Sequence, residues 1–264
     1  MSRHSLKGRS ILVTRAEVDA GSLVAALEAQ GTTVIRLPLI EILPPESWSE
    51  IDASINSDRP VDWLVFTSRH GVRAFGRRLA ELGKTISDLG DPKMAAVGRA
   101  TAGAVSLAGW SVDLIPDKKT GTGVAEALRL SGVGPGSKIV MPRASEARPE
   151  LPAILRQAGA NVQDVAVYRT QPLRHSTESI DQIIAKKPDA ILLASPSTVQ
   201  SLGVVATLRP LETWKPLPVL VSIGPVTSDA IRSLGWIVAA EAESPGTEEL
   251  VSAAAKALVN TIKD

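Results

Sequence analysis

Cysteine is absent from the 264 residues, which excludes thiol catalysis, disulfides and cysteine-based metal sites together. Histidine occurs only at His4, His70 and His175, and this wide separation gives no metal-ligand spacing. Neither a G-x-G-x-x-G motif nor a Walker glycine-lysine motif is present, so nucleotide binding has little support. We therefore expect a protein that uses no metal ion.

The chain also lacks a dominant charge and long apolar runs. Twenty-nine basic and 28 acidic side chains leave a net charge of +1, so no overall field attracts nucleic acid or an anionic membrane. Residues 1–9 are polar, and no later apolar run approaches the roughly 18 residues of a membrane span. These absences predict a soluble cytoplasmic protein without a nucleic-acid or membrane partner, in which local clusters would hold any anionic ligand.

What the chain does contain is an internal repeat. Residues 11–15 (ILVTR) return as residues 139–143 (IVMPR), and Gly98 with its following helix returns as Gly224, 126 residues later (224 − 98). A repeat of this length predicts two domain-sized units, with a cleft between the lobes as the default ligand site. A monomer is the simplest expectation, because the duplication supplies both lobes within one chain.

Short apolar segments alternate with longer segments of helical periodicity, which predicts a flavodoxin-like α/β fold with parallel sheets covered on both faces. The predicted strands are residues 10–14, 34–37, 63–67, 94–97, 138–141, 162–168, 190–194 and 219–223. The predicted helices are residues 21–30, 71–82, 100–107, 124–129, 151–158, 197–208, 226–234 and 247–259. A proline- and glycine-rich break at residues 131–136 favours a division into tandem halves, but spacing alone leaves open a sheet completed by strands from both copies.

Arginines follow several of the predicted strands. In open parallel sheets, ligands bind beyond the carboxyl ends of the strands, and a guanidinium group binds carboxylates or phosphates with two hydrogen bonds. The arginines at this edge are Arg15, Arg69, Arg99 and Arg143. We predict that at least two of them bind anionic groups of a ligand, against the alternative that surface arginines commonly follow strands.

Two glycines, Gly98 and Gly224, each end a strand and open a helix. A glycine there lets a ligand approach the backbone, and the free amides of the first helical turn favour an anion. Thr101 and Thr227 follow three residues later. Each threonine either binds the ligand or satisfies local backbone groups.

Hydroxyl groups also lie at strand ends. Ser68, Ser195 and Ser197 occupy strand-to-helix turns, but no G-x-S-x-G motif or triad histidine accompanies them, so helix capping or ligand hydrogen bonding is favoured over nucleophilic catalysis. Tyr168, the only tyrosine, ends a strand. Its residue type favours a packing role, with proton donation to a leaving group as the functional alternative.

Five short segments at strand ends form one pattern, namely residues 66–72 (FTSRHGV), 97–102 (VGRATA), 167–170 (VYRT), 194–197 (ASPS) and 223–227 (IGPVT). In order and spacing these segments resemble the uroporphyrinogen-III synthase family, and the similarity runs from about residue 8 to about residue 258. The resemblance implies two flavodoxin-like lobes joined by a two-stranded hinge. One lobe would contain residues 1–38 and 172–264, and the other would be inserted over residues 41–168, which replaces a tandem cut near residue 131.

The resemblance further implies a hydro-lyase that cyclises the linear tetrapyrrole hydroxymethylbilane to uroporphyrinogen III without a cofactor. Water is lost and the last pyrrole ring is inverted, in a pathway towards haem, sirohaem or cobalamin. By position, Tyr168 matches the family tyrosine proposed to assist departure of the hydroxyl. The positions that match polar residues or backbone amides of the family cleft are Ser68, Thr101, Ser197, Thr227, Gly98 and Gly224.

The sequence departs from the family pattern at two sites. His70 stands where asparagine is usual, and Leu193-Ala194 replaces Phe-Thr, so local ligand contacts there can differ. The main alternative function is a non-catalytic bilobal protein that binds a small molecule, although export and helix-turn-helix segments are missing. A two-lobed glycosyltransferase ranks third.

Overall fold

The computed structural model describes residues 6–260, so His4 lies outside the described residues, as do the other positions in 1–5 and 261–264. The chain divides into two compact units. The first takes in the chain up to Glu41 and again from Gln171 onward, and the second is Ile42–Thr170. Each unit contains a sheet of predominantly parallel strands flanked by helices, which confirms the predicted α/β fold class.

The sheet of the first unit has the strand order β10-β9-β8-β1-β2, and all of its pairings are parallel. In chain order within the unit this is the 2-1-3-4-5 arrangement of a flavodoxin sheet. Its strands are β1 (Ser10–Val13), β2 (Thr33–Arg36), β8 (Ala190–Leu193), β9 (Val219–Ser222) and β10 (Val238–Glu241). Its helices are α1 (Glu17–Glu28), α7 (Thr177–Ala185), α8 (Pro196–Leu208), α9 (Pro225–Ser233) and α10 (Thr247–Asn260).

Two apolar layers pack against this sheet, one on each face. Ile11 and Val13 point towards α1 and α10, and Leu12 points to the opposite layer with α7, α8 and α9. All three side chains are fully or almost fully buried. Because both faces are covered, the strand is continuously apolar rather than alternating with polar residues.

The sheet of the second unit has the order β3-β7-β6-β4-β5. Strands β4 to β7 pair in parallel and take four of the five positions of a flavodoxin sheet, while β3 lies at the edge beside β7. The strands are β3 (Ile40–Leu43), β4 (Trp63–Phe66), β5 (Lys93–Ala96), β6 (Lys138–Ala144) and β7 (Asn161–Pro172). The helices are α2 (Ser49–Ile55), α3 (Arg69–Glu81), α4 (Arg99–Leu107), α5 (Gly121–Leu130) and α6 (Glu150–Gln157).

An aromatic group forms part of the core on one face of this second sheet. The ring of Phe66, at the end of β4, lies 5.8 Å from that of Phe75 in α3 and 6.2 Å from that of Trp110, which follows α4. Strand β4 and the two helices are therefore held together at one place. This packing fixes where the loops after β4 and β5 begin.

The two sequence copies are exchanged between the sheets. The first sheet combines β1 and β2 of the first copy with β8 to β10 of the second, and the second sheet combines β4 and β5 with β6 and β7. The isolated parallel bridge between Ala95 and Leu114 recurs, 126 residues later (221 − 95), as the pairing of Val221 with Ala240. The division into tandem halves favoured by the break at residues 131–136 is therefore wrong, because each sheet needs strands from both copies.

An aspartate precedes a central strand in each unit and ties it to its neighbour. The Asp189 carboxylate accepts a hydrogen bond from the Ser10 backbone N–H at 2.7 Å, and Asp62 accepts one from the Lys138 N–H at 2.7 Å. The Lys138 ammonium is itself buried and donates to the Arg59 carbonyl oxygen at 2.6 Å. Burial lowers the pKa of Lys138 from its usual value.

Candidate active site

A β-bulge in the second unit positions Tyr168. In the pairing of β6 with β7, Arg143 lies opposite Ala166, but the next residue, Ala144, lies opposite Tyr168, so Val167 is the extra residue on β7. A bulge bends the strand and redirects the side chains beside it. Tyr168 is 9% exposed, so the ring is packed within the unit.

The Tyr168 hydroxyl lies 2.9 Å from Ser68 Oγ. Ser68 also caps α3, because its Oγ accepts a hydrogen bond from the Gly71 N–H at 3.0 Å. With one Ser68 lone pair used in this way, the serine can donate its proton to the phenol oxygen. The structure thus brings together two predicted site residues that lie 100 positions apart in sequence.

His70 and Gly71, in the first turn of α3, also lie near Tyr168 and Ser68. The imidazole ring centre lies 5.4 Å from that of Tyr168, with the planes tilted by 51°. A Cβ atom added at Gly71 would lie 2.5 Å from the Pro142 carbonyl oxygen, so only glycine permits this approach of α3 to β6. The close approach brings the helix cap within reach of the tyrosine.

Arg143 has partners inside its own unit. Its Nε and Nη2 donate to the two carboxylate oxygens of Asp164, the latter bond at 2.6 Å, and its Nη1 donates to the Arg148 carbonyl oxygen at 2.8 Å. Only 7% of its side chain is exposed. This geometry gives no support to the prediction that Arg143 binds an anionic ligand, because the guanidinium is already bound in two-pronged fashion and shielded from solvent.

The loop after β5 carries another group of predicted residues. Strand β5 pairs with β4 along its length, so the turn at Gly98 and Arg99 lies beside the turn at Ser68 and Arg69. Gly98 is the cap of α4 with φ of +137°. Thr101, in the first turn of α4, is 6% exposed, and its hydroxyl makes no hydrogen bond with any residue between 6 and 260.

In the first unit, the turns after three adjacent strands lie at one edge of the sheet. Arg15 follows β1 and is 7% exposed, Ser195 follows β8, and Gly224 follows β9. Ser195 Oγ accepts a hydrogen bond from the Thr198 N–H at 3.2 Å and lies 2.8 Å from Ser197 Oγ, which confirms that Ser195 caps a helix. Whether these hydroxyls also bind a ligand stays a prediction.

Gly224 and its helix differ from Gly98 and α4. Gly224 has φ of 163°, which is extended backbone open to other residues. The next residue, Pro225, has no N–H, and the Thr227 N–H donates to the Gly224 carbonyl oxygen at 3.1 Å. Thr227 is 3% exposed. The two turns therefore share a sequence pattern but not the same backbone.

The difference in backbone conformation predicts that alanine costs more stability at Gly98 than at Gly224. We expect Gly98→Ala to reduce the free energy of unfolding by about 1–2 kcal/mol, because a φ of +137° is strained for a residue with a Cβ. We expect Gly224→Ala to cost less than about 0.5 kcal/mol. Urea denaturation measures both. The nearest atoms to an added Cβ are 3.7 Å away at Gly98 and 3.9 Å away at Gly224, so equal losses would contradict the backbone explanation.

Sequence reasoning missed Lys119. The added Cβ at Gly98 would meet only two atoms within 4 Å, Lys119 Cε at 3.7 Å and Cδ at 3.9 Å, so the lysine side chain lies over the start of α4. Lys119 precedes a helix in a loop instead of following a strand, so a search of strand ends passes over it. The available signal is the run of residues 118–123 (KKTGTG), which combines cations with a glycine-rich helix start.

The described residues offer few kinds of catalytic or binding group. No group of three histidine or carboxylate side chains between residues 6 and 260 is placed to hold a metal ion. Over the same residues, no helix has the length and apolar character needed to cross a membrane. What the strand-end turns offer is one phenol, several hydroxyls, cationic side chains and helix N-termini, which can supply weak acid catalysis and bind carboxylates.

Comparisons with known proteins agree on one family. The family model described as uroporphyrinogen-III synthase HemD matches residues 21–252. A uroporphyrinogen-III synthase of Synechococcus elongatus is 30% identical over 92% of this chain and 93% of its own length. A putative uroporphyrinogen-III synthase of Methanothermobacter thermautotrophicus is 28% identical over 92% of this chain and 96% of its own length.

Solved structures show the same fold. A mutant uroporphyrinogen III synthase of Thermus thermophilus matches with a TM-score of 0.63 at 19% identity, covering 96% of this chain and 100% of that one. The uroporphyrinogen-III synthetase of Helicobacter pylori matches with a TM-score of 0.61 at 18% identity, covering 97% and 100%. At these identities the likeness supports the fold alone.

Proposed function

The chain belongs to the uroporphyrinogen-III synthase family, and from this we propose which of its residues carry out ring closure. The reaction is the cyclisation of hydroxymethylbilane in tetrapyrrole biosynthesis, which makes the protein a lyase acting on a small molecule. The observation that carries the assignment of residues is the 2.9 Å contact between the Tyr168 hydroxyl and Ser68 Oγ.

In the proposed step, Tyr168 donates its phenolic proton to the terminal hydroxyl of the substrate. The C–O bond breaks, the hydroxyl leaves as water, and the adjoining electron-rich pyrrole supplies the electron pair. The substituted α-carbon of the last pyrrole bonds to the cationic methylene, and its older bond to the neighbouring bridging methylene breaks. That methylene then bonds to the other α-carbon of the same ring, which inverts the ring, and this carbon loses a proton that restores the phenol. The pyrrole assists departure strongly, so a phenol is acidic enough and most of the rate comes from holding the substrate in a reactive fold.

Ser68 positions Tyr168 in this proposal. Its Oγ is fixed by the Gly71 N–H at the start of α3, and the hydrogen bond that it can donate to the phenol oxygen stabilises the phenolate formed after proton transfer. The serine is therefore expected to act through the tyrosine.

The remaining turn residues are proposed to bind the acetate and propionate groups of the substrate. Neutral hydroxyls and backbone amides orient such groups, and arginine side chains attract them. The proposed binding residues are Arg15, Arg69, Gly98, Arg99, Thr101, Ser195, Ser197, Gly224 and Thr227. Arg143 is left out because its side chain binds Asp164.

We also propose the domain organisation, oligomeric state and cellular location of the protein. Residues 1–38 with 172–264 would form one lobe, and residues 41–168 would form the other. The protein would work as a cytoplasmic monomer, without a cofactor or a nucleic-acid or membrane partner, in a route to haem, sirohaem or cobalamin. The alternative of a non-catalytic binding protein is not favoured by the family match.

Isomer analysis tests the proposed activity. Given freshly generated hydroxymethylbilane, the purified protein should yield uroporphyrinogen III well above the I isomer that forms spontaneously, as measured by chromatography of the oxidised products. A heat-denatured sample is the control. If the native sample gave only the I isomer, the chain would not carry out the reaction of its family.

A further inference from the structure

The start of α4 differs from the corresponding start of α9 in ways that point to a ligand. The N–H groups of Arg99, Ala100 and Thr101 have no acceptor within residues 6–260. At α9, by contrast, one of the three matching N–H groups is missing at a proline and another is already bonded to Gly224. Three unpaired amides at a helix N-terminus attract a carboxylate through hydrogen bonds and the helix dipole.

Thr101 gives an independent indication at the same place. The residue is 94% buried (100 − 6), and its hydroxyl has no partner among the described residues. The hydroxyl oxygen itself is not sealed from solvent, so a ligand can bind it. The threonine thus supplies one more donor at the start of α4.

Lys119 adds a positive charge to this group. Its Cε and Cδ lie 3.7 and 3.9 Å from the Cβ position of Gly98, and its ammonium makes no ion pair or hydrogen bond in the described part of the chain. The repeat places Pro245 at the matching position beside Gly224, where its Cγ lies 3.9 Å from the Cβ position. The same spacing separates Lys119 from Pro245 (245 − 119) and Gly98 from Gly224 (224 − 98), namely 126 residues. The cation is therefore specific to one copy.

We propose that the start of α4, Thr101 and Lys119 form a binding site for one carboxylate of the substrate, with a cation and free amides that the start of α9 does not offer. Lys119 is then a specificity residue, because it adds a positive charge at one of the two related turns. This inference rests on the proposed function, because it assigns one substrate group to one helix.

Substitution of Lys119 tests the proposal, with the adjacent exposed Lys118 as a matched control of equal charge. We expect Lys119→Met to raise KM for hydroxymethylbilane about tenfold while kcat changes by less than about twofold, because one charged hydrogen bond is lost and the acid is untouched. Lys119→Arg should keep KM near the wild-type value, and Lys118→Met should leave it unchanged. Equal KM values for Lys119→Met and Lys118→Met, or an equal rise for Lys119→Arg, would overturn the role of Lys119.

A second readout does not depend on turnover. Citrate, a small tricarboxylate, should raise Tm of the wild type and of Lys118→Met more than that of Lys119→Met, as measured by thermal unfolding. The same citrate shift in all three proteins, or none in any, would refute the carboxylate site. Failure of the wild type to form the III isomer with this difference intact would refute the proposed function and leave the site standing.

Discussion

Phenylalanine at Tyr168 is expected to lower kcat for ring closure about 30-fold and to leave KM almost unchanged. The substitution removes the proposed proton donor but keeps the buried ring and its contact with His70. General acid catalysis contributes about 100-fold or more in many enzymes, and the smaller effect reflects a leaving group that the pyrrole already helps to expel. Rates of III isomer formation under saturating substrate measure the change.

A double-mutant cycle provides the control for this prediction. Ser68→Ala should lower kcat in the wild-type background and have much less effect when Tyr168 is already phenylalanine, because Ser68 acts through the phenol. Thermal unfolding must be followed in parallel, since Ser68→Ala also removes the cap of α3 and costs about 1 kcal/mol. Undiminished turnover in Tyr168→Phe would exclude the tyrosine as the acid.

Asp164→Ala is expected to lower the free energy of unfolding by about 3 kcal/mol, more than the glycine substitutions or Ser68→Ala. The substitution leaves the buried Arg143 guanidinium without its carboxylate, and an isolated charge that is cut off from water is strongly unfavourable. This loss is at the low end of what breaking a buried ion pair costs, because the Asp164 side chain is 22% exposed. Urea denaturation provides the measurement.

Replacing both partners distinguishes a structural role of Arg143 from ligand binding. The variant Arg143→Met with Asp164→Leu should recover most of the stability lost in Asp164→Ala, because apolar side chains of similar volume can fill the space of an ion pair. Its KM for hydroxymethylbilane should match that of the wild type. A stable double variant with a KM raised about tenfold would restore the original prediction that Arg143 binds the substrate.

The fold class could be predicted because it depends on local periodicity, and each predicted strand and helix overlaps an observed one. The edge strand β10 was missed because its burial alternates along a short alanine-containing segment instead of being continuously apolar. Helix α7 was missed although it carries a clear signal, with Ser176 at its cap and Ile180 and Ile183 buried one turn apart. Its nine residues equal those of α4, which was predicted, so length does not account for the omission.

The site was less predictable because it depends on pairing between distant segments. The residue type and position of Arg143 fit a ligand-binding arginine, and only the register of β6 against β7 brings it beside Asp164. The bulge before Tyr168 likewise exists only in the paired strands. Conversely, the repeat made Gly98 and Gly224 look equivalent, whereas a proline after Gly224 removes one of the amides on which anion binding depends.

The exchange of strands between copies has a consequence for synthesis on the ribosome. Strand β1 lies between β2 and β8, but β8 is translated 177 residues after β1 ends (190 − 13). At typical elongation rates of about 5–20 residues per second, Ile11 and Val13 wait roughly 10 to 35 s for that neighbour. The unit spanning Ile42–Thr170 emerges whole in the meantime. Nascent chains should therefore gain protease resistance in the middle first, and the earliest residues to be made should be among the last to become protected.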